Sequence, residues 1–373
     1  MPHNPNQKPV EAYSAAEDNV AAELDYPGKR PNTSFMTDGE TVTALSSEYT
    51  TFVKQADAML EAQGLPLIED RFPVLSYGAN ASPVRLAGKK MNQFGAQEQT
   101  LMQNVPHIVA TVPDTLAIWH GRPGQNGSVF AELYKGEHAK GAQLHTHVAF
   151  LTAEQLGAIH ATEGTTYSMV ELPVWLGSGK QAPETTVAAY VALDSQIATT
   201  RDGSPILVAG LKNQGAKLPR KTARLMVGSM LREADVKRSV EDYVADGLSM
   251  KLAEKKARQA DVGAKLAERG YSQKFAFTDM LSPDLIGRAD FASLPGSKNK
   301  HLHQLPEMVL AKIRPSEEEM ATKVDTLQKR YPTETEAQLR VRAAKLIDPA
   351  RRVSSRAHDE LQVRLQQAES EEP

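Results

Sequence analysis

The sequence predicts an α+β protein in which a sheet-rich middle region precedes a helical C-terminal region. Between residues 72 and 215, short apolar or alternating runs are separated by turn residues, as in strands and hairpins. After Pro219, apolar residues recur at steps of three and four, which is typical of helices. Charge also varies along the chain. Residues 1–70 hold 4 basic and 12 acidic side chains, whereas residues 213–373 hold 29 basic and 24 acidic ones. A chain of 373 residues is therefore expected to form two to three domains.

Seven apolar runs in the middle region are predicted strands. They cover residues 72–77, 115–119, 128–133, 142–150, 166–176, 185–193 and 206–211. Two helices are predicted among them from their N-terminal residues. Ser82 precedes Pro83 at a first helical position, and Thr152 with Gln155 forms a capping box. The sheet is therefore expected to combine hairpins with helical crossovers.

Six segments are predicted along the chain. They are a disordered acidic arm (1–41), an N-terminal helix (42–71), the sheet-rich domain (72–220), a helical region (221–281), a linker or long loop with a short helix (282–315), and a C-terminal helical hairpin (316–373). The arm is predicted disordered because it is polar and broken by proline. The hairpin is predicted from capping boxes at 316–319 and 333–336, separated by Tyr331 and Pro332.

Composition excludes several kinds of chemistry. The chain has no cysteine, so it has no disulfide, no thiolate nucleophile and no cysteine-based zinc or iron–sulfur site. The first thirty residues contain no apolar core segment, so neither a secretory signal nor a membrane span is expected, and a cytoplasmic location is favoured. The basic clusters after residue 213 are diluted by acids, which argues against nucleic acid as a partner.

One run places a glycine turn directly between a predicted strand and a predicted helix. The predicted strand ends at Tyr77. The residues Gly78, Ala79 and Asn80 then form the turn, and the helix start at Ser82 and Pro83 follows. Such a junction directs successive backbone N–H groups toward one point, which suits a carboxylate or an oxyanion.

A second run places a glutamate at the end of a predicted helix. Glu163 precedes Gly164, where the chain reverses into the strand that begins near Tyr167. A glutamate at a helix C-terminus faces the negative end of the helix dipole, which tends to raise its pKa. Glu163 is therefore a candidate acid or base.

Together with four further matches, these two runs resemble the gamma-glutamylcyclotransferase family over about residues 72–220. The matching motifs, in the family's order, are Tyr77-Gly78-Ala79-Asn80, Lys140-Gly141, Leu151-Thr152 with Leu156, Glu163-Gly164 with Tyr167, Pro205 to Gly210, and Gly215-Ala216 with Leu218-Pro219. The sequence departs from the family at Ala79, where serine is common, and at Ile206, where an aromatic residue is frequent. The long segments on either side have no counterpart in the minimal family domain.

The resemblance implies a small mixed sheet closed into a barrel, with a helical C-terminal region added, and an enzyme of the acyltransferase or lyase type. It implies that Tyr77, Gly78, Ala79, Asn80 and Tyr167 bind a gamma-glutamyl group, and that Glu163 is the general acid and base. The implied products are 5-oxoproline and a released amine or amino acid, and no cofactor is expected. The backbone N–H groups of the turn would hold either the alpha-carboxylate of the substrate or its gamma-carbonyl oxygen.

Two other functions of the same fold remain open at this point. One is gamma-glutamyl or amine transfer in a biosynthetic pathway, and the other is a non-catalytic protein that binds a ligand or a partner. The C-terminal helices leave room for a protein partner or for self-association. His145 and His147 lie two apart on a predicted strand and, with His120 or His160, would give a metal site, but no carboxylate stands at ligand spacing, which favours ordinary strand histidines.

Overall fold

A computed structural model of the protein describes residues 6–13, 18–87, 102–152, 155–156, 159, 167–178, 182, 184–192, 195–275, 321, 324–325 and 328–329. Its strands are β1 (Gln7–Pro9), β2 (Phe35–Thr37), β3 (Thr41–Ala44), β4 (Phe72–Ser76), β5 (Val105–Pro113), β6 (Leu116–Trp119), β7 (Ala131–Tyr134), β8 (Gln143–Leu151), β9 (Tyr167–Leu176), β10 (Glu184–Ala192), β11 (Ser195–Ala198), β12 (Leu207–Val208), β13 (Lys212–Gln214), β14 (Arg220–Lys221) and β15 (Ser272–Phe275).

The described α-helices are α1 (Asn19–Leu24), α2 (Tyr49–Glu61), α3 (Pro83–Ala87), α4 (Ala223–Glu233), α5 (Val240–Ser249) and α6 (Leu252–Glu268). Short 3₁₀ helices are formed by Val10–Tyr13, Ile68–Asp70, Ala79–Ala81 and Glu137–Ala139. The protein is thus a mixed α+β structure, as predicted, and no described helix is both long and apolar enough to cross a bilayer.

Five strands close into a barrel in the order β5, β9, β10, β4 and β8, with β8 returning to β5. Neighbouring strands are antiparallel except β10 and β4, which are parallel and pair Ala188 with Val74. A closed barrel leaves no free edge within its ring of hydrogen bonds. The predicted barrel is therefore present among the described strands, as a general architecture.

Alternate residues of the barrel strands form one apolar cluster to which all five strands contribute. Its barrel members include Ile108, Val148, Leu75, Leu172, Val174 and Val187, each at most 2% exposed. This alternation is what the period of a half-buried strand requires. The opposite face of β4, β8 and β10 carries Phe72, Val74, Ala149 and Tyr190, which form a second cluster with Leu86 of α3.

The N-terminal segment (described residues 6–13 and 18–44) differs from the predicted disordered arm. β2 pairs with the first part of β5, on the same edge that β9 uses further along, and β3 and β1 extend the sheet outward. The physical reason is local apolarity within a polar composition, because Phe35, Met36 and Val42 are at most 2% exposed. The segment is thereby held against the barrel.

Two smaller sheets lie beside the barrel. One has the order β14-β12-β6-β7, and the other pairs β11 with β15. Trp119 at the end of β6 is completely buried, and its indole N–H donates to the Lys221 carbonyl at 2.9 Å. The sheet that holds Trp119 is therefore tied to the start of the helical region.

The predicted helix starts at Ser82–Pro83 and at Thr152 are present, whereas the helix predicted over 42–71 is shorter, because residues 41–44 form β3 and α2 covers Tyr49–Glu61. Pro83 opens α3, the Thr222 hydroxyl accepts from Leu225 N–H at the start of α4, and Thr152 and Gln155 each accept from the other's backbone N–H. The helices α4 and α5 contact α1 of the N-terminal segment. The predicted linker and C-terminal hairpin lie almost wholly outside the described residues.

Candidate functional site

The predicted strand-to-helix junction is present around Gly78. β4 ends at Ser76, Gly78 caps the 3₁₀ helix Ala79–Ala81, and α3 follows after Ser82. Because α3 has only five residues, its dipole contributes little, and the backbone N–H groups of the turn are the main donors there. Within the described part of the chain, the N–H groups of Gly78 and Ala79 donate to no backbone carbonyl.

The carbonyl groups of the same turn are occupied. Ala81 N–H donates to the Gly78 carbonyl at 3.3 Å, and Arg30 donates to the carbonyls of Tyr77 and Gly78 at 3.5 and 3.3 Å. Burial lowers the pKa of the Arg30 guanidinium to about 10, which leaves it protonated at neutral pH. A cation from the N-terminal segment thus holds the turn from its carbonyl side.

Tyr26 lies directly over Gly78. A Cβ atom on Gly78 would meet the Tyr26 hydroxyl oxygen at 2.7 Å, whereas Gly78 itself has an ordinary negative φ of −101°. The Tyr26 hydroxyl also accepts a hydrogen bond from Ala131 N–H at 3.1 Å, and its ring packs 5.9 Å from that of Trp119. The glycine is therefore required for close approach of the N-terminal segment.

Gly78→Ala is expected to lower the free energy of unfolding by about 1–3 kcal/mol, because the added methyl group displaces Tyr26. Adding Tyr26→Phe removes the oxygen that the methyl group would strike, and the double variant should recover part of this loss in urea unfolding. Gly124→Ala is the control, since its Cβ meets neighbours only at 3.5 Å or more. If the losses of unfolding free energy in Gly78→Ala and Tyr26→Phe simply add up in the double variant, this contact is contradicted.

His107 contacts the carbonyl of Asn80, while the Ala79 carbonyl accepts from Ser82 N–H at 3.0 Å. Its Nε2 lies 3.2 Å from the Asn80 carbonyl oxygen, its Nδ1 lies 3.0 Å from that of Val105, and its ring stacks on Phe35 at 4.4 Å. Burial lowers the pKa of His107 to about 4, so the ring is neutral and has one N–H for these two acceptors. Arg30 and His107 thus contact three of the four carbonyls of the turn, those of Tyr77, Gly78 and Asn80, from outside it.

The other predicted site residues differ in how much of each the structure describes. The Tyr77 side chain is 6% exposed and its hydroxyl donates to the Tyr190 carbonyl at 2.9 Å, so Tyr77 offers its backbone to the turn. Tyr167 begins β9, where its backbone alone is described. Glu163 lies outside the described residues, and its nearness to the turn remains a prediction.

An open cavity of about 960 Å³ lies beside the turn, and Arg30 is part of its wall. Strands β5 and β8 contribute Thr111, His145 and His147, the end of β9 contributes Trp175, and β13 contributes Lys212. The Thr111 hydroxyl lies 3.1 Å from Nδ1 of His145, whose Nε2 lies 2.7 Å from Oε1 of Gln214. Polar contacts thus run from Thr111 through His145 of the wall to Gln214 behind it, across β5, β8 and β13.

The described histidines do not form a metal site, and the fourth candidate, His160, lies outside the described residues. His145 and His147 share one side of β8, as predicted, but His147 Nε2 lies 3.2 Å from the Thr33 carbonyl. His120 lies beyond β6, where its Nε2 is 3.4 Å from Glu132 Oε1, and both side chains are at most 2% exposed. No group of three potential ligands occurs among the described residues.

Sequence reasoning missed Arg30, Tyr26 and His107 as neighbours of the turn. The available signal was the run from Tyr26 to Arg30, a basic and aromatic patch within an otherwise acidic segment. His107 carried no signal beyond lying between apolar residues.

Comparison with known proteins yields little. No protein-family model and no curated protein matches the chain. Among solved structures, a match is found to a human chain described as uncharacterized protein loc79017, with 14% identity and a TM-score of 0.25 over 49% of this chain and 89% of that chain. A similarity at this score carries no argument about fold or function.

Proposed function

We propose that the protein catalyses intramolecular cyclisation of a gamma-glutamyl amide, releasing 5-oxoproline and an amine. The observation that carries the proposal is the turn at Gly78 and Ala79. Arg30 donates to the carbonyls of Tyr77 and Gly78, whereas the N–H groups of Gly78 and Ala79 donate to no described backbone carbonyl. Such an arrangement is suited to an anionic oxygen. The sequence motifs around Glu163 and Tyr167 support the same reaction.

The reaction requires no protein nucleophile. The substrate's alpha-amine attacks its own gamma-carbonyl carbon, a C–N bond forms within a five-membered ring, and the amide C–N bond to the departing amine breaks. Holding the substrate folded supplies much of the rate, since effective molarities of about 10⁵–10⁸ M are reached by well-oriented intramolecular reactions. The absence of cysteine from the chain is compatible with this chemistry.

One proton must move during this reaction. The alpha-nitrogen attacks as a neutral amine, after its ammonium form has lost one proton to solvent, and the proton that it sheds on becoming the ring amide nitrogen reaches the departing amine nitrogen. We assign this transfer to Glu163, which acts first as base and then as acid, while Gly78 and Ala79 N–H groups bind either the alpha-carboxylate or the carbonyl oxygen as it gains charge. Arg30 and His107 position the turn without touching the reacting atoms.

Glu163→Gln is expected to lower the rate of 5-oxoproline release by about 10² or more, because glutamine keeps the shape and removes the proton carrier. The measurement uses a panel of gamma-glutamyl amides with detection of 5-oxoproline. Glu61→Gln, at the exposed end of α2, is the matched control and should keep the activity. A wild-type protein that releases no 5-oxoproline from any of the amides would favour the ligand-binding function instead, and equal rates for Glu163→Gln and wild type would remove Glu163 from the mechanism.

A further inference from the structure

The cavity beside the turn has an unbalanced charge. Arg30 and Lys212 bring two cationic groups to its wall, and none of its described lining residues is aspartate or glutamate. The chain as a whole carries a formal charge of −3, so this local excess of positive charge does not follow from composition. A concave wall with one sign of charge concentrates ligands of the opposite sign.

Arg30 has hydrogen-bonding capacity to spare. A guanidinium has five N–H donors, and two of those of Arg30 engage the carbonyls of Tyr77 and Gly78. Its Nε is buried and has no hydrogen-bond partner among the described residues. Because the Nε is closed to solvent, a ligand in the cavity would use the remaining N–H groups of the two terminal nitrogens, and an oxyanion is the natural partner for a guanidinium.

The cavity is larger than a simple ion requires. Its volume of about 960 Å³ lies in the range of sites for organic ligands. Trp175 is half-buried in its wall and presents an aromatic surface, while Thr111, Thr146 and Gln143 add neutral polar groups. The wall therefore suits an anionic group attached to an apolar or aromatic body.

We propose that this cavity binds a small organic anion, with its carboxylate or phosphate group between Arg30 and Lys212 and its apolar body against Trp175. Binding here does not require turnover at the Gly78 turn, so the inference stands apart from the proposed enzymatic function. His147 in the wall adds no positive charge, since burial lowers its pKa to about 3.

The test is a fluorescence titration of the full-length protein with benzoate and with phenyl phosphate, using sodium chloride at equal ionic strength as reference. The chain has two tryptophans, of which Trp119 is fully buried, so the signal change should come from Trp175 and vanish in Trp175→Phe. Calorimetry on Trp175→Phe then shows whether that variant still binds. The stronger of the two probes identifies the preferred anionic group.

Lys212→Gln should weaken binding about tenfold, the loss expected for one charge-assisted contact. Lys217→Gln is the matched control, because Lys217 is also exposed and is not among the residues of the cavity wall. Lys212 is exposed, so its replacement should not affect folding. No saturable signal from either probe, or equal dissociation constants for Lys212→Gln and Lys217→Gln, would overturn the proposal.

Discussion

Lowering the pH from 7.5 to 5.0 is expected to reduce the free energy of unfolding by about 6 kcal/mol through three buried histidines, or about 2 kcal/mol for each. Burial lowers the pKa of His107 to about 4 and those of His120 and His147 to about 3, against an ordinary value of 6.5. The unfolded chain therefore binds more protons than the folded one below pH 6.5. Stability falls as the pH drops through 6.5, and the loss levels off near pH 3–4.

Urea unfolding at a series of pH values measures this effect. His107→Gln, His120→Gln and His147→Gln should each remove about one third of the pH dependence, whatever their cost at pH 7.5. His138→Gln is the comparison variant, since His138 is exposed whereas these three histidines are buried. A stability that does not change between pH 7.5 and 5.0 would show that these rings are protonated in the folded protein.

Trp119→Ala is expected to lower the free energy of unfolding by about 3–5 kcal/mol, the usual cost of removing a large buried aromatic side chain. Trp119 is completely buried, packs beside Tyr26, and donates to the Lys221 carbonyl. Its loss leaves a cavity and removes one of the two hydrogen bonds to the Lys221 carbonyl, which still accepts from Ala209 N–H at 3.0 Å. The measurement is the urea midpoint, and Trp119→Phe, which keeps a ring, should cost less.

Trp119→Ala should also free the N-terminal segment. The Tyr26 ring loses its neighbour, so limited proteolysis should cut more rapidly between residues 18 and 34 than in wild type. Trp175→Ala, at the half-buried cavity wall, is the comparison and should leave that cleavage rate unchanged. Equal cleavage in Trp119→Ala and wild type would show that the segment is held by contacts other than this one.

Local signals predicted much of the fold. Proline at the start of α3, the capping box of Thr152 and Gln155, and the periodic apolar residues of α4 to α6 act within one or two helical turns, so sequence alone identifies them. The general barrel architecture followed from the family resemblance rather than from strand patterns. Pairing between distant strands leaves no local pattern that fixes the strand order.

The strand β5 was missed, although it contacts three other strands. Pro106 and Pro113 lie on either side of most of its apolar residues, and prolines in such positions are typical of loops. The structure accommodates both near the strand ends, where Pro106 faces Met36 of β2 and Pro113 faces Gln143 at the start of β8. A proline at a strand end costs little, and composition alone does not separate that case from a loop.

The candidate site was predicted in part. The turn Gly78-Ala79-Asn80 was identified because glycine and asparagine between a strand and a helix form a local pattern. Arg30 and His107 reach the same turn through tertiary packing, over sequence separations of 48 and 27 residues. Such groups become visible only when the chain has folded, and the N-terminal segment was predicted disordered from its average polarity.

The parallel seam between β4 and β10 has a consequence for how the protein is made. β4 pairs with β8 on one edge, and its other edge is paired only after β10 has been made. The hydrogen bond from Tyr77 to Tyr190 between these two strands spans 113 residues of sequence. A nascent chain that ends before residue 184 therefore exposes an unpaired strand edge, which promotes association between chains. We expect ring closure to be the slow step of refolding, and the refolding yield to fall as protein concentration rises.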